Sequence, residues 1–597
     1  MNSSKGEKAQ SERKNKSFLV ELLGKLRKRH ILETLAAFVG GGWLLLEFVH
    51  WLLVDHYHFP EKSIDITFVT ILGTLFCTLI WRWFRGREAR RKFKLELILI
   101  PLVALTTVIL DINLLLNLKA PESETVPTAK WKNSIAVLPF VDMSPQKDQE
   151  YFCDGMTEDL INRLSNIRDL KVPARTSAFM FKGKTPDMRD VGERLKVETA
   201  LEGSVQKSGN RLRITAQLIN IADGYHLWSE KYDRELKDVF AIQDEISSAI
   251  VDALRLKLTA QEKERMSGHS IDNVAAYECY LRAKREIYRG SEDALNRALQ
   301  ELQNGLRVIG DNALLYCGMA LVYNQFVNIG VGQEEHITRS EEYAKKALAL
   351  NPNLPEAYHA LALPFYYKDY PDNLRSFFQN DKLALGLDPN LASALSVQAE
   401  IYIWLGKPSH ALPLLNRLKQ VDPLNPSIYS VSGILFLLDG KYTAAIEQFE
   451  QRLQFDPTPF EPFFMAWALA YSKEIEEALR LVDQSAKATP NHVLTKLGQL
   501  LKYGLLKNRE KAFQIMTPDF QKTCRRDLAS SYCAASMLSL LDAKEEALDW
   551  LENAVKKGFI NYPVLAEKDS FLANIRSEPR FQKLIERVKY EWENFKE

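Results

Sequence analysis

The chain has 597 residues, which is enough for several folding units, because a single domain usually holds roughly 100 to 200 residues. Its composition, 46% hydrophobic and 26% charged, excludes a largely disordered protein. The 78 Lys and Arg residues nearly cancel the 77 Asp and Glu residues, so the net charge gives no reason to expect nucleic acid as a partner.

The six cysteines do not form the pattern of a metal site, because no two of them make a Cys-x-x-Cys pair. We therefore expect no metal and no other cofactor. Cys524 and Cys533 leave one alternative open, a disulfide in an oxidising compartment. Sparse cysteines of this kind are more often buried apolar residues.

Three apolar runs follow a basic tail of residues 1–30. The runs lie at residues 31–54, 66–84 and 95–118, and each approaches the ~20 residues that a helix needs to cross a bilayer. We therefore predict three transmembrane helices within residues 31–118. A cleaved signal peptide is the alternative for the first run, but its apolar core is longer than the ~7 to 15 residues typical of such peptides.

The basic residues around these runs predict an orientation. Lys and Arg cluster directly before the first run and again between the second and third runs, and such clusters are retained on the cytoplasmic side. Three crossings then place everything after the third run outside the cytoplasm. The sequence thus predicts a multi-pass membrane protein with lipid contacts through its spans and flanks. In a double-membraned bacterium, this is a protein of the inner membrane with periplasmic soluble domains.

Residues 132–260 are predicted to form a small α/β domain, after an exposed linker at residues 119–131 that is rich in Pro, Ser, Thr and Glu. The expected order is a buried strand, a helix, an extended stretch, a short helix, three strands and a closing helix. Gly209 lies between the first two of the three strands, where a hairpin turn needs a positive φ. Asp154 and Glu158 share one face of the first helix, and we interpret them as capping or solvent-exposed groups.

Three segments of this domain resemble the TolB amino-terminal-like domain of bacterial membrane-linked signalling proteins. They are SIAVLPFVDMSPQKDQEYFCDGMTEDLINRLS, VETALEGSVQKSGNRLRITAQLINIADGYHLWSEKYDREL and FAIQDEISSAIVDAL. The resemblance implies a mixed-sheet α/β domain of envelope-associated proteins, some of which carry an adenylate cyclase or winged-helix domain. It implies no catalytic residues.

Residues 274–597 have a wholly helical and periodic pattern. Prolines recur every 33 to 37 residues, and small residues recur in step with them at the positions where paired helices approach. The prolines are Pro352, Pro389, Pro423, Pro457 and Pro490. The pattern is similar to the tetratricopeptide repeat, and residues 427–457 match its consensus best. The predicted fold class is thus multi-domain, with transmembrane α-helices, a small mixed-sheet α/β domain and an all-α tetratricopeptide-repeat solenoid that ends in a cap.

A stack of helix pairs leaves a concave groove, and grooves of this kind bind peptides. The repeat register predicts that seven residues of the inner helices face this groove. They are Glu400, Ile403, Trp404, Ile434, Leu437, Phe463 and Trp467. The alternative is that the aromatic members belong to the core between repeats.

Three functional hypotheses follow. The first is a membrane-anchored periplasmic scaffold or sensor that binds a protein or peptide in the repeat groove. The second is a component of a membrane signal-transduction system related to adenylate cyclases or transcriptional regulators, and the third is a scaffold that faces the cytosol. No catalytic motif supports an enzyme, so we predict no catalytic, cofactor-binding or metal-binding residues.

Overall fold

The structure is a computed structural model, and its described residues belong to two compact units, residues 1–128 and residues 129–597. It describes residues 31–51, 62–84, 99–108, 132–267, 270–455 and 460–596. The predicted tail at residues 1–30 and the predicted linker at residues 119–131 lie outside the described residues. Both stay predictions, as do the exact domain boundaries.

The first unit is helical where it is described. Helix α1 spans Ile31–Val49, helix α2 spans Lys62–Phe84, and residues 99–108 are also helical. A Cβ at Gly73 of α2 would lie 2.2 Å from Oγ1 of Thr107, so a glycine lets the third segment pack closely against α2. Several large apolar side chains of this unit are exposed.

The membrane part of the predicted fold class is wrong. Among the described residues, no helix combines the length and the apolar character that a bilayer crossing requires. In sequence, α1 contains Glu33 and Glu47, and α2 contains charged residues near both ends, so the uncharged stretches are shorter than the helices. The described part of the third run has only the ten residues 99–108. The predicted location, a multi-pass inner-membrane protein with periplasmic domains, is corrected with it, whereas the predicted lipid contact stays a prediction.

The second unit begins with the predicted mixed-sheet α/β fold. Its strand order is β1, β3, β4, β5, with β2 also paired to β3. Strands β1 and β2 run parallel to β3, whereas β3, β4 and β5 are successively antiparallel. The strands are β1 (Ile135–Val137), β2 (Val141–Asp142), β3 (Thr199–Ser208), β4 (Arg211–Asn220) and β5 (His226–Glu235).

Helices cover the apolar face of this sheet. Leu212, Ile214 and Ala216 of β4 are fully buried, while the intervening Arg211 and Arg213 are exposed, as expected for a sheet with one solvated face. The helices are α3 (Glu150–Ser165), α4 (Arg175–Phe179), α5 (Met188–Leu195), α6 (Val239–Ala253) and α7 (Ala260–Ser267).

The local predictions for this domain are mostly confirmed. The hairpin between β3 and β4 pairs Ser208 with Arg211, and Gly209 in its turn has a φ of +57°. The predicted short helix is α5. One prediction was wrong: the stretch expected to be extended contains helix α4, which depends on a contact with a distant part of the chain described below.

The remainder of the second unit is an array of antiparallel helix pairs, which confirms the predicted tetratricopeptide-like solenoid. The paired helices are α8 (Val274–Arg289) and α9 (Glu292–Ile309), α10 (Ala313–Asn328) and α11 (Glu334–Leu350), α12 (Pro355–Ala362) and α13 (Asp372–Leu387), α14 (Ala392–Trp404) and α15 (Pro408–Val421), α16 (Ser427–Leu438) and α17 (Tyr442–Leu453), and α18 (Phe460–Tyr471) and α19 (Ile475–Ala488). The C-terminal helices are α20 (Val493–Leu505), α21 (Arg509–Ile515), α22 (Pro518–Cys524), α23 (Leu528–Ser539), α24 (Lys544–Lys556) and α25 (Pro579–Glu593).

The pair α16 and α17 shows why small residues recur in this array. A Cβ at Gly433 would lie 2.4 Å from Cε1 of Phe449, so the ring packs directly on the backbone of the facing helix. Gly440, between the two helices, has a φ of +80°, which L side chains rarely adopt. The spacing read from the sequence therefore reports real helix contacts.

Candidate partner-binding sites

The residues predicted to face a groove lie on three consecutive first helices of the array. They are Glu400, Ile403 and Trp404 on α14, Ile434 and Leu437 on α16, and Phe463 and Trp467 on α18. Glu400 is partly exposed, but each of the other six is at most 2% exposed. The exposure that a partner contact requires is therefore absent for these six in this structure, and a role of theirs in binding stays a prediction.

The C-terminal repeats cover these side chains. The ring of Tyr532 on α23 lies 5.8 Å from the ring of Trp467 and 6.5 Å from that of Trp404, between centroids. Phe559, just after α24, stacks on Tyr532 at 4.1 Å. Side chains of the C-terminal repeats thus help to bury Trp404 and Trp467. Sequence periodicity relates each repeat to its neighbours, and it contains no signal for a later repeat that returns to an earlier one.

A buried carboxylate completes this C-terminal closure. The hydroxyl groups of Tyr471 and Tyr532 donate hydrogen bonds of 2.6 and 2.8 Å to the two carboxylate oxygens of Asp569, which is 2% exposed. Burial, together with the Asp569 charge, raises the pKa of both tyrosines. Both hydroxyls therefore stay protonated and donate, as a buried carboxylate requires.

Two further acidic groups lie at the edge of the closure. Ser530 donates its backbone N–H to Asp527 at 2.8 Å, so Asp527 caps the N-terminus of α23. Burial raises the pKa of Asp527 to about 6. Burial also raises the pKa of Glu400, and the negative charge of Asp527 raises it further. The indole N–H of Trp404 donates a hydrogen bond of 3.3 Å to Glu400, which partly offsets this rise.

At the other end of the array, the α/β domain joins helix α8 through charged side chains. Glu158 of α3 pairs with Arg175 Nε at 3.2 Å and with the ammonium group of Lys284 on α8. The Arg175 guanidinium lies between the rings of Phe179 and Tyr288, 3.8 and 3.7 Å from their centroids. Burial lowers the pKa of Lys284, but the Glu158 charge outweighs it and the pKa is raised well above its usual value.

Asp154 and Glu158 are thus not the solvent-exposed groups that we inferred from sequence. Their side chains are only 15% and 14% exposed, and Asp154 forms an ion pair of 2.7 Å with Lys182. The helical spacing correctly placed both carboxylates on one face of α3. It did not reveal that α8 and α4 cover this face.

A second contact fixes the α/β domain to the middle of the array. Asp422, between α15 and α16, accepts hydrogen bonds from the backbone N–H of Ser177 at 2.9 Å and from its hydroxyl group. Leu424 returns a backbone N–H to the Ser177 hydroxyl oxygen at 2.8 Å. Asp422 therefore orders the short helix α4 from outside the domain, which explains why local sequence did not predict this helix.

An open cavity of about 320 Å³ lies where α9, α10 and α11 meet. It is lined by Glu292, Asn296 and Leu299 of α9, Tyr323 and Phe326 of α10, Val331 of the following turn, and Glu335 and His336 of α11. Phe326 forms a buried apolar base, whereas Val331 is 39% exposed. Sequence reasoning did not single out any of these residues, because they come from three helices and match no motif.

A row of stacked tyrosine rings leads away from this cavity. Tyr323 stacks on Tyr343 at 5.6 Å with an angle of 3° between the rings, and Tyr343 stacks on Tyr316 at 5.8 Å. All three side chains are half-buried. The seven-residue spacing of Tyr316 and Tyr323 on one helix face was a signal that sequence analysis had available.

The cysteines and acidic groups were candidates for a metal site or a disulfide. Within the part of the chain that the structure describes, no group of three or more His, Cys, Asp and Glu side chains is placed to hold a metal ion. Cys524 and Cys533 are buried free thiols, and burial raises the pKa of both. The structure therefore favours the buried-residue interpretation over the disulfide.

The α/β domain is similar to a domain of a known protein family. The profile of the HilA/YgeH-like transcriptional regulator family, second domain, matches residues 131–249. This match does not extend to the rest of the chain. The resemblance to the TolB amino-terminal-like domain, which rests on the same segment, stays an interpretation.

One curated relative is "Putative adenylate cyclase 3" of Rhizobium meliloti (strain 1021). It is 40% identical over 243 residues, which make up 40% of this chain and 41% of the relative. The matched region thus spans about two fifths of the length of that protein.

Solved structures with similar helical arrays include human IFIT1 with PPP-AAAA, at a TM-score of 0.35 and 15% identity, covering 54% of this chain and 83% of that chain. Yeast Tom70 matches at a TM-score of 0.31 and 16% identity, covering 59% of this chain and 82% of that chain. At these TM-scores neither likeness adds to the fold assignment, which depends on the helix pairs themselves.

Proposed function

We propose that this chain is a non-enzymatic binding scaffold, and that it takes a basic, partly aliphatic segment of a partner protein into the cavity between α9, α10 and α11. The observation that supports this proposal is the cavity itself, which is open, has an aromatic base and carries carboxylates at its rim. Repeat arrays present such surfaces because each helix pair is held by its neighbours, which leaves the exposed positions free to vary.

The charges around the cavity favour a cationic ligand. Glu292 and Glu335 are both exposed lining residues, from α9 and α11. Glu335 forms an ion pair with Arg339 at 3.3 Å, and both side chains are well exposed, so this pair is worth little and is easily exchanged for a ligand cation. If an arginine of the ligand replaces Arg339 as the partner of Glu335, one charge-assisted hydrogen bond replaces another, so the exchange costs little free energy.

The apolar part of the lining favours a long side chain. Phe326 and Leu299 offer a base to an aliphatic stem, and the face of an aromatic ring such as Tyr323 attracts a cation within about 6 Å. Lysine and arginine combine such a stem with such a charge. We therefore expect a partner segment in which these residues alternate with aliphatic ones.

Binding of two labelled twelve-residue peptides to the full chain tests this proposal. One peptide alternates Lys with Leu, the other alternates Glu with Leu, and fluorescence polarisation reports their affinity. We expect the basic peptide to bind more tightly, and we expect Tyr323→Ala, or Glu292→Gln with Glu335→Gln, to weaken it roughly tenfold or more, the effect of ~1.4 kcal/mol.

The matched control is Asp293→Asn, which removes the same charge next to Glu292 on a residue that does not line the cavity. This variant should bind the basic peptide as the unmodified chain does. If Asp293→Asn weakens binding as much as the cavity variants, or if both peptides bind equally, the cavity is not the binding site and the proposal fails.

A second candidate function is a role in signalling, which the relative named as an adenylate cyclase favours. We propose that this chain supplies a binding part of such a system and carries no cyclase activity of its own. Incubation of the purified chain with ATP and Mg²⁺ tests this directly. We expect no cyclic AMP above the buffer blank, and cyclic AMP that rises with protein concentration would overturn the non-enzymatic proposal.

The nearly balanced charge of the chain also supports the expectation that nucleic acid is not its partner. A gel-shift series with duplex DNA and with single-stranded RNA at physiological salt checks this expectation. A stable shifted band at submicromolar protein would contradict it.

A further inference from the structure

The last turn of α25 and the residues after it contact the turn between α14 and α15. The indole N–H of Trp592 donates a hydrogen bond of 3.0 Å to the carbonyl oxygen of Gly406. In return, the ammonium group of Lys407 donates one of 2.6 Å to the carbonyl oxygen of Trp592. Two residues of the turn therefore bond to one residue near the end of the chain.

The same lysine lies over two aromatic rings of the C-terminal segment. Lys407 Nζ is 4.5 Å from the ring centroid of Trp592 and 5.7 Å from that of Phe595. Both distances are within the range of a cation–π interaction. Lys407 thus contacts both aromatic rings and a main-chain carbonyl group of this segment.

An aromatic wall receives the second ring. Phe595 meets Phe378 of α13 edge to face, with centroids 6.0 Å apart and an angle of 75° between the rings. Phe378 is held in turn by Tyr402 of α14, which stacks on it at 4.6 Å. Phe378 and Tyr402 are 1% and 3% exposed, so this wall is buried when Phe595 lies on it.

Gly406 makes the close approach of Trp592 feasible. Its φ is +71°, and a Cβ there would lie 3.1 Å from Trp592 Nε1 and 2.5 Å from Asn561 Oδ1. A side chain at this position would push the indole away from the carbonyl group that it binds. The turn is therefore shaped to the tryptophan that lies on it.

The residues around the two aromatic rings are less buried than the first half of α25. Phe581 and Val588 are buried and Leu584 and Ile585 pack against the core, whereas Tyr590 is 69% exposed. After α25, Asn594 and Lys596 are exposed. Two aromatic anchors at positions i and i+3, with a side chain on each side that donates a hydrogen bond to a main-chain carbonyl group of the other, are features by which proteins recognise peptide segments.

We propose that the α14–α15 turn, with Lys407, Gly406 and the wall of Phe378, is a recognition site for a Trp-x-x-Phe segment. Trp592 and Phe595 fill it in cis, and a partner protein that carries the same aromatic pair displaces them. The site is separate from the cavity of the proposed function, involves none of its residues and takes an aromatic rather than a basic segment. The C-terminal segment then acts as an internal competitor. The apparent affinity for the partner is the affinity of the open site multiplied by the fraction of time in which the site is open.

A peptide of residues 588–597, labelled at its N-terminus, tests this proposal against the full chain. The chain with Trp592→Ala and Phe595→Ala has an open site, and we expect it to bind the peptide at least ~10-fold more tightly than the unmodified chain does. Adding Lys407→Met to the open chain should weaken binding roughly tenfold, because the cation–π contact and the hydrogen bond are both lost. Tyr590→Ala, a change in the same segment outside the contact, is the control and should leave the site closed.

Three outcomes would overturn the proposal. The first is an open chain that keeps its thermal unfolding midpoint and does not bind the peptide, and the second is equal binding of a peptide in which both aromatic residues are replaced by alanine. The third is an unmodified chain that is dimeric by light scattering through exchanged C-terminal segments, since the site would then belong to a second copy.

If the open chain does not fold, trypsin cleavage of the unmodified chain keeps the test decisive. An excess of the unlabelled peptide, with glutamine in place of both of its lysines so that trypsin cannot cut it, should speed cleavage after Lys589 of the chain by displacing its C-terminal segment. Cleavage that stays unchanged at saturating peptide would overturn the proposal. These readouts are independent of the basic-peptide test, so either proposal can fail while the other stands.

Discussion

The two ends of the helical array are closed in different ways. At the N-terminal end, the α/β domain shares an apolar core with α8, and this junction also contains a cluster of ion pairs between Glu158, Lys284 and Arg175. At the C-terminal end, the last repeats return to α14 and α18 through an aromatic core around Trp404 and Tyr532. Both ends solve one problem, because the terminal helix pairs of a solenoid have an apolar face with no neighbour to cover it.

The difference predicts how each end fails. A buried ion pair tolerates the loss of one member poorly, because the remaining charge is left without a partner in a region of low dielectric. The stability of an aromatic core instead depends on how completely its side chains fill the space. A truncated side chain buries less apolar surface and leaves a cavity whose lining loses contacts. A second substitution that removes a charge left without a partner should therefore restore stability at the N-terminal end and not at the C-terminal end.

The largest effect is expected from Trp404→Ala in the C-terminal closure. The side chain is 1% exposed, and the loss of such a tryptophan costs about 3 to 5 kcal/mol of the free energy of unfolding. Urea unfolding followed by circular dichroism measures this loss. Tyr590→Ala, at 69% exposure, is the control and should change stability by less than about 0.5 kcal/mol. A loss under ~1 kcal/mol for Trp404→Ala would mean that the C-terminal repeats do not cover this residue.

Glu158→Ala should have the next largest effect, at the charged junction. It leaves Arg175 and Lys284 without their shared carboxylate and should cost about 3 kcal/mol. The urea midpoint of the variant measures the cost. The exposed pair of Asp190 and Arg194, at 3.4 Å, gives the matched control, and Asp190→Ala should cost at most ~1 kcal/mol.

A double variant sharpens this comparison. Lys284→Met in the Glu158→Ala background removes one of the uncompensated charges and keeps the aliphatic stem, so it should restore part of the lost stability. No such rescue is expected for Trp404→Ala. If Lys284→Met lowers stability further, the junction is held by packing rather than by charge.

Asp527→Asn should change how stability depends on pH at the C-terminal closure. The folded pKa of about 6 lies above the ordinary value of 3.8, so this group contributes stability that is complete below about pH 4 and is lost as the pH rises through 6. Asparagine keeps the cap of α23 and does not ionise. The variant should therefore be more stable than the unmodified chain at pH 7.5, by up to ~2 kcal/mol, and about equal to it at pH 4.

Unfolding midpoints measured from pH 4 to pH 8 test this prediction. Asp519→Asn, at an exposed position in the first turn of α22, is the control and should keep the slope of the unmodified chain. A slope that is the same in all three proteins would show that the carboxyl group of Asp527 does not titrate in this range.

The smallest effect is expected from Ser177→Ala, where the α/β domain meets the middle of the array. The change removes the hydroxyl group that bonds Asp422 and Leu424 and should cost about 1 kcal/mol. Hydrogen exchange should speed up in α4 while α5 stays protected. Ser165→Ala, whose hydroxyl group bonds only within α3, is the control. Unchanged exchange in α4 would contradict the role given to this contact.

Much of the second unit was accessible from the sequence because its determinants are local. The hairpin at Gly209 and the helix pair of Gly433 and Phe449 depend on residues within one supersecondary motif. A positive φ or a close helix contact requires a small residue, and the sequence carries that requirement at a fixed spacing. The mixed sheet and the repeat array follow from such local patterns.

The sequence misled where apolar content was treated as sufficient. The apolar runs within residues 31–118 suggested membrane spans, but the described helices α1 and α2 do not have the uncharged length for a crossing. Hydropathy averaged over a run does not show where a helix begins and ends. That boundary depends on neighbours as well as on composition.

Most helices and strands of the second unit could thus be predicted from the sequence, because helix and strand periodicity are encoded within a few residues. Which faces are covered could be seen only in the folded chain. Later repeats help to bury Trp404, Asp422 accepts hydrogen bonds from a helix 245 residues away in sequence, and the cavity at Tyr323 is open. Contacts between segments so distant in the chain leave no periodic trace, since each depends on where the whole array brings its surfaces together.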